Sequence, residues 1–284
     1  MQVFISVDME GISGLVRWAD VSPDGIDFER NRVLMTEDAN AAVRGAFDAG
    51  ATEVIVEENH GVIDLCVLRM DLIDPRCEVI RGAGRGGSTT MAGLSADTDV
   101  VLLVGHHARA GSKPGIMAHT VSGSFRYVRI NGRLVGEPDL FAIRAGELGV
   151  PVGMVSGDQV VAAELSDIVP QAETAVIKHA LSNFAARCIP PDRARPMIAD
   201  CARRAVQRAA NGELSAYTAD QSPYQIEVEL REPASEGLQA NISNMAEFEL
   251  RGEHVVITQA ADMDLGFRRI AYLGYGNRAG LTRY

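Results

Sequence analysis

Two carboxylates, two positions apart, follow the first apolar run of the chain. Residues 2–7 are mostly apolar and lead directly into Asp8-Met9-Glu10-Gly11. Because successive side chains of a strand alternate between its faces, Asp8 and Glu10 are expected to project from the same side. Neighbouring carboxylates repel each other unless a positive group joins them, and a divalent metal is the simplest such group. The competing interpretation is a solvated acidic turn, and these residues alone do not decide between the two.

Histidines follow two later strands. His60 comes shortly after a strand predicted at residues 52–56, and His106-His107 follows the apolar run at residues 99–104. Adjacent side chains of an extended chain point in opposite directions, so only one of these two neighbours is expected to be a ligand. In open α/β sheets the ligand site lies beyond the carboxyl ends of the strands. These histidines are therefore expected at the same rim as the two carboxylates.

His119 and Glu137 are expected to reach this rim from a loop and from the end of a hairpin. Each residue alone is a weak signal, since a single histidine is usually a satisfied polar residue and a single glutamate is usually solvated. Potential ligands at the ends of three separate strands together favour a metal site. Its candidate residues are Asp8, Glu10, His60, His107 (or His106), His119 and Glu137.

The ligand types narrow the choice of metal and reaction. Mixed imidazole and carboxylate ligands suit zinc, manganese, iron or cobalt, and the absence of nearby thiolates fits a catalytic site. Even five of these six candidates would exceed the three ligands that one catalytic zinc usually takes from protein. This excess predicts two metals about 3.5–4 Å apart that share a carboxylate. Such a pair activates water and polarises a carbonyl, so hydrolysis of an amide or ester is the natural reaction, with phosphoester hydrolysis as an alternative.

The surrounding elements predict an α/β fold. A helical pattern at residues 28–48 separates the first strand from the strand at 52–56, which is the start of a parallel β-α-β crossover. Asn131-Gly132 predicts a hairpin. Further elements are expected after these: strands at 78–80, 99–104, 151–156, 174–178, 224–231 and 255–259, and helices at 137–148, 191–210, 233–246 and 263–273.

The character of the sequence changes beyond Pro170, and Ile189-Pro190-Pro191-Asp192 is interpreted as a boundary before the next helix. We predict an N-terminal, mostly parallel sheet flanked by helices in residues 1–185, which would carry the metal site. A smaller α+β domain is predicted for residues 186–284.

A glycine-rich loop offers a competing interpretation. Gly82, Gly84 and Gly87 formally match the GxGxxG pattern of dinucleotide-binding proteins. That fingerprint should follow the first strand of its unit and be answered by an acidic residue about 20 residues later. Neither condition is met, and the loop has no lysine of the Walker type. A flexible turn is favoured over a site in a nucleotide-binding protein or dehydrogenase.

Composition limits the partners and the compartment. The formal net charge is −11, which argues against nucleic acid or an anionic membrane as a partner. The four cysteines have no CxxC or other close metal spacing, which fits a reducing cytoplasm. The N-terminus lacks the basic region of a signal peptide, and the apolar run at 99–104 has the length of a strand. We predict a cytoplasmic protein.

Five motifs are distributed along the first half of the chain: Ser6-Val7-Asp8-Met9-Glu10-Gly11, Asn59-His60, His107-Ala108-Arg109-Ala110, Gly115-Ile116-Met117-Ala118-His119 and Asn131-Gly132-Arg133-Leu134-Val135-Gly136-Glu137. Together they resemble the D-aminopeptidase family of the bacterial dipeptide-transport operon, peptidase family M55. The resemblance covers most of the chain and weakens after about residue 185. It implies a two-zinc aminopeptidase acting on short peptides, and a ring-shaped homo-oligomer, a decamer built from pentameric rings with an internal chamber.

The resemblance also implies roles for individual residues. Asp8 matches the carboxylate that bridges the two zinc ions. Glu10 and His60 match the other ligands of one zinc, and His107 and Glu137 match those of the second. Manganese or cobalt in place of zinc is an alternative.

His119 matches the histidine given as the family's nucleophile. An imidazole beside an activated water is better suited to move a proton or to stabilise an oxyanion, so its role stays open.

Some features depart from the family pattern. His106 stands where an aromatic residue is expected, and residues 20–27 and 84–88 differ in composition. Because these loops are expected to shape the pocket, the size and handedness of the substrate stay open. Two further hypotheses remain: an amidohydrolase or phosphoesterase acting on another small metabolite, and a non-catalytic oligomeric binding protein with a structural metal.

Overall fold

A seven-stranded sheet forms the centre of the protein. The computed structural model describes residues 1–85 and 91–276. The strand order is β3-β2-β1-β4-β7-β8-β9, and every pair is parallel except the last. The strands are β1 (Gln2–Val7), β2 (Glu53–Glu58), β3 (Glu78–Ile80), β4 (Val100–Val104), β7 (Val152–Asp158), β8 (Glu173–Ala180) and β9 (Ala186–Cys188).

The middle strands are buried on both faces. All residues of β4 and β7 are buried, as are the last five of β1, and this burial on both faces explains the nearly continuous apolar runs of β1 and β4. On one face lie the long helices α2 (Phe28–Asp48) and α5 (Pro191–Ala210). These two helices touch at Gly45, where an added Cβ would lie 2.1 Å from the carbonyl oxygen of Ala199. Glycine is therefore required for this close approach.

A five-stranded antiparallel sheet covers part of the other face. Its order is β11-β12-β10-β5-β6, and its apolar side chains share a core with Phe4, Val101 and Leu103 of the central sheet. Asn131 and Gly132 both have positive φ, as the predicted hairpin requires. The strands are β5 (Phe125–Ile130), β6 (Arg133–Leu134), β10 (Tyr224–Leu230), β11 (Phe248–Arg251) and β12 (Val255–Ala260).

Five further helices and a short 3₁₀ turn lie within the described ranges. They are α1 (Trp18–Val21), α3 (Glu137–Glu147), α4 (Gln159–Ile168), α6 (Glu236–Ser243) and α7 (Met263–Gly276), with a short 3₁₀ turn at Ile63–Leu65. Within the described ranges, none of the helices has the length and apolarity needed to cross a membrane.

The predicted fold class is confirmed, including the helix at 28–48. The helix predicted at 233–246 is shorter, because Ser235 caps its start through a bond from the N–H of Leu238 and the chain turns at Asn244 towards β11. The second sheet joins strands from both sides of residue 185. The division into 1–185 and 186–284 stays a prediction.

Candidate metal centre

The candidate residues meet at the carboxyl edge of the central sheet. Asp8 directly follows β1, and His60 and His107 follow β2 and β4 at neighbouring positions of the sheet. Glu137 is the first residue of α3, and His119 lies in the loop between β4 and β5. The structure therefore brings together all six predicted residues. All are buried except His119, which is partly buried.

The residues form two groups of potential metal ligands. In each group, one ligand atom per residue lies within 4.8 Å of the others. The first group is Asp8, Glu10 and His60, in which His60 Nδ1 lies 3.4 Å from Asp8 Oδ1 and 3.0 Å from Glu10 Oε2. The second is His107, His119 and Glu137, in which His107 Nε2 lies 3.3 Å from Glu137 Oε1.

Asp8 lies between the two groups. Its Oδ1 faces His60 in the first group, and its Oδ2 lies 3.3 Å from His107 Nε2 in the second. A carboxylate with one oxygen directed to each group has the arrangement needed to join two cations.

The three imidazoles are oriented by backbone carbonyl groups. A carbonyl oxygen can only accept, so the ring nitrogen that contacts it carries the proton, and in a neutral ring the other nitrogen is left with its lone pair towards the centre. The contacts are His60 Nε2 to Val21 at 2.9 Å, His107 Nδ1 to Ala108 at 3.0 Å and His119 Nδ1 to Met117 at 2.9 Å.

Polar atoms left without partners indicate that the site fits a metal. Asp8 Oδ2, Glu10 Oε2 and His107 Nε2 are buried and have no hydrogen-bond partner. Buried polar atoms are costly unless they are paired, and the few that are unpaired often mark a bound ion. These oxygen and nitrogen atoms are also the donor types that zinc and similar metals accept. The residues present therefore fit the predicted metal.

The electrostatics of the site favour bound positive charge. Burial acts to raise the pKa of Asp8, but its contacts with His107 and His60 outweigh burial and hold the pKa well below the usual range. Burial likewise opposes ionisation of Glu137, yet His107 lowers its pKa to about 2. Conversely, burial acts to lower the pKa of His60 and His107, and the neighbouring carboxylates raise it well above the usual value.

His119 lies over the space between the two groups. Its Nε2 is 3.9 Å from Glu10 Oε1 and 3.8 Å from Glu137 Oε1. Burial, and then the charge on His107, lowers the pKa of His119 below the usual value, which favours a neutral ring. The edge of the ring contacts Trp18, with 5.3 Å between ring centroids.

His106 lies behind the site. Its Nε2 is 3.3 Å from the carbonyl oxygen of Ser6, its Nδ1 is 4.0 Å from Asp8 Oδ2, and its ring packs edge-on against Phe141. Of the two adjacent histidines, His107 thus faces both groups, whereas His106 contacts the strand end and the core.

Two residues that support Glu137 were not among the sequence-based candidates. Asn59 Nδ2 donates to Glu137 Oε2 at 3.2 Å, and the backbone N–H of Val121 donates to Oε1 at 2.8 Å. Val121 has a φ of 61°, which is strained for a β-branched residue and occurs most often at functional sites. Asn59 stands beside His60 in a family motif, so its place could have been anticipated. Nothing in the sequence marks Val121.

A cavity of about 490 Å³ opens onto the centre. Its size suits a small ligand. Its apolar walls come from the loops after β1, β2 and β4 and from one face of α7. They include Trp18, Val21, Val62, Val121, Phe267 and Ala271.

The glycine-rich loop contributes Ala83 to this cavity. Arg85 ties the described part of the loop to the end of β2, because its Nη1 donates to Glu57 Oε1 at 2.6 Å and to the carbonyl oxygen of Glu58 at 2.9 Å. Its Nε donates to the carbonyl oxygen of Gly82 within the loop at 2.6 Å. Gly87, the last glycine of the formal pattern, lies outside the described residues.

Comparison with known proteins identifies the family. A family model described as D-aminopeptidase, peptidase family M55, matches residues 1–272. The chain belongs to the M55 D-aminopeptidase family. This M55 protein is 37% identical to a D-aminopeptidase of Bacillus subtilis (strain 168) over 207 residues, which cover 73% of this chain and 74% of that protein.

The whole chain also matches a solved structure of the family. That protein is described as the Zn-dependent D-aminopeptidase DppA from Bacillus subtilis, a self-compartmentalizing protease. The TM-score is 0.90 at 30% sequence identity, with 100% of both chains covered. The predicted family and enzyme class are thus confirmed: this M55 member is a metallo-aminopeptidase, a hydrolase. The roles of its individual residues stay predictions.

Proposed function

We propose that this M55 enzyme is a zinc-dependent D-aminopeptidase that removes the N-terminal residue from short peptides or amides at a centre of two metal ions. The observation that carries the proposal is the position of Asp8, with one carboxylate oxygen facing His60 and the other facing His107. The zinc dependence of the Bacillus subtilis relative supports the choice of metal. Manganese and cobalt are the alternatives.

The ligand groups divide the work of holding the ions. Asp8, Glu10 and His60 would hold one ion, and His107 and Glu137 the other, with Asp8 shared. Bound zinc would supply a water molecule of lowered pKa and would polarise the scissile carbonyl. Asn59 and Val121 keep the Glu137 carboxylate in place through their N–H groups.

His119 is assigned the proton transfer. Because its Nδ1 contacts the Met117 carbonyl, its Nε2 presents a lone pair to the centre. Nε2 would accept a proton from the attacking water and return it to the leaving amine, which is ordinary general acid–base catalysis. A neutral ring is needed for the first step, and the lowered pKa of His119 provides it.

The cavity favours a small substrate. Its volume of about 490 Å³ and its apolar walls suit a residue such as D-Ala at the N-terminus of a short peptide. The D-handedness of the substrate is supported by the family and by the relatives.

The test is an assay of the purified enzyme on D-Ala and L-Ala dipeptides and p-nitroanilides. We expect hydrolysis of the D-substrates that is lost in Asp8→Ala. Unchanged hydrolysis by Asp8→Ala would contradict the assignment of the site. Action on other small amides or phosphoesters, but on no peptide, would favour the competing amidohydrolase or phosphoesterase interpretation.

We also propose that the enzyme forms a homo-oligomer, a decamer of two pentameric rings. The description of the relative as self-compartmentalizing supports assembly, and the similarity extends over the full length of both chains. Light scattering on the purified protein should give a mass about ten times that of the chain; a monomer would contradict this proposal.

A cytoplasmic location is proposed as well. All four cysteines are free thiols, which persist most readily in a reducing compartment. Cell fractionation tests this: recovery of the enzyme outside the cytoplasm would contradict it.

A further inference from the structure

Lys178 places a buried cation beneath the loop that carries Glu10. This lysine belongs to β8 and is completely buried. Its Nζ donates to three carbonyl oxygens of one loop, those of Glu10 at 2.6 Å, Ile12 at 3.0 Å and Leu15 at 2.6 Å. A neutral amine has only two N–H groups, so three donated bonds require the ammonium form.

The environment of this ammonium group differs from that of an ordinary buried ion pair. Burying a charge is costly unless it is compensated by partners of good geometry. Here the direct partners are carbonyl dipoles, and the carboxylates of Asp158 and Asp38 add favourable electrostatic interactions. Three carbonyl oxygens of the loop therefore converge on Nζ, as carbonyl oxygens do around a bound metal ion.

The same loop is fixed from two other directions. The N–H of Gly11 donates to the carbonyl oxygen of Gly105 at 2.7 Å, which ties the loop to the end of β4. Ser13 donates from both its N–H and its Oγ to Asp38 Oδ2, at 2.9 and 2.8 Å, which ties it to α2. Lys178 instead contacts the main chain of Glu10 itself, the residue whose carboxylate belongs to the first ligand group.

We propose that Lys178 is a positioning residue for the first ligand group. By holding the Glu10 carbonyl, it fixes the direction of the Glu10 carboxylate towards His60 and so sets the metal affinity of the group formed by these two residues and Asp8. The second group, with His107 and Glu137, does not depend on it. This inference rests on the two-metal function proposed above.

A purely structural role predicts a different result. If Lys178 only stabilised the fold, its loss would lower the stability of the protein and would affect both ligand groups alike, or neither. A positioning role predicts an effect confined to one group, even in a protein that remains folded. The two groups must therefore be measured separately.

The experiment uses full-length protein in which only one of the two ligand groups can bind zinc tightly. Lys178→Met is made in a His107→Ala background, which leaves the first group, and in a His60→Ala background, which leaves the second. Zinc affinity is measured by competition with a chelator, and thermal melting of the metal-free proteins checks that they are folded. Arg195→Met is the control, because Arg195 is a partly buried cation 3.6 Å from Asp38 whose buried Nε has no hydrogen-bond partner.

We expect Lys178→Met to weaken zinc binding by about tenfold or more in the His107→Ala background, the usual effect of losing a group that supports a metal ligand. In the His60→Ala background, Lys178→Met should leave the zinc affinity within about twofold of its value with Lys178 present. Arg195→Met should leave the zinc affinity unchanged in both backgrounds. Equal affinities with and without Lys178 in the first background, or equal losses in both, would overturn the proposal.

A second variant, Lys178→Arg, keeps the proposal testable if Lys178→Met does not fold. Lys178→Arg keeps the charge, but its planar donors diverge and do not match three converging carbonyl groups. It should show the same loss confined to the first group, and an equal effect on both groups would count against the proposal. If wild-type protein itself binds no zinc, the proposed function fails; if it binds zinc normally and the variants do too, only the role of Lys178 fails.

Discussion

The imidazole rings of His107 and His119 are stacked, with ring centroids 3.9 Å apart and planes 11° from parallel. Both present Nε2 to the same oxygen of Glu137, at 3.3 and 3.8 Å. Burial first, and then positive charge in the second ligand group, lowers the pKa of His119 and favours a neutral ring. The stack thus places the proposed metal ligand His107 directly against the proposed base His119.

The first prediction concerns His119. We expect His119→Ala to lower kcat by about 10²–10⁴-fold, the usual contribution of a general acid–base group, and to retain its metal. Steady-state kinetics with metal analysis of the same sample checks this. Loss of a metal ion in this variant would show that His119 is a ligand, as its place in the second group would also permit.

A second prediction concerns the turn after the first strand. A Cβ at Gly11 would lie 2.1 Å from the carbonyl oxygen of His106, and a backbone atom cannot move away easily. We expect Gly11→Ala to lower the free energy of unfolding by about 1–3 kcal/mol, measured by denaturant titration.

The control for this change is Gly237→Ala. Gly237 lies in α6 with open space at its Cβ position. Alanine should stabilise it by less than about 1 kcal/mol. Equal stability of Gly11→Ala and wild type would contradict the close packing of this turn.

The cavity wall gives a third prediction. Ala271 of α7 lines the cavity, so Ala271→Leu should narrow it. We expect KM to rise for substrates with a large N-terminal residue, such as D-Leu or D-Phe, more than for D-Ala. Ala240→Leu, at an exposed position of α6, is the control and should leave KM unchanged for both the large and the small substrates. A uniform change of KM for all substrates would show that α7 does not form the side-chain pocket.

A fourth prediction concerns thiol reactivity. Burial raises the pKa of Cys201 to about 12 and that of Cys77 to about 11. The thiolate is the reactive form, and a raised pKa reduces its fraction at a given pH. We therefore expect both thiols to resist iodoacetamide in the native protein at pH 8 and to react only as the pH approaches these values or the protein unfolds. Rapid labelling of either at pH 8, identified by peptide mass, would contradict their burial.

Local patterns in the sequence were enough to predict the centre of the fold. The helix α2 and the buried strands β1 and β4 have long, regular apolar patterns, and each matched its predicted position. The strands β9 and β11 have three and four residues and lie at sheet edges, where too few side chains are buried to give a pattern. They were not predicted.

The candidate site, like the fold, could be predicted only in part from the sequence. Asp8, His60 and His107 could be placed because the ends of parallel strands must meet at one edge. Lys178 could not, since its contact with Glu10 spans 168 positions and nothing beside it in the chain marks it as different from a surface lysine. The strained φ of Val121 is likewise a property of the folded loop.

The two ligand groups joined by Asp8 are proposed to hold two catalytic metal ions. Metal content per chain, measured on protein purified without chelator and paired with an assay on D-Ala p-nitroanilide, tests this proposal most directly. We expect about two transition-metal ions per chain, with activity that is lost to a chelator and restored by zinc. A well-folded protein that contains no transition metal and keeps its activity in chelator would contradict the proposal.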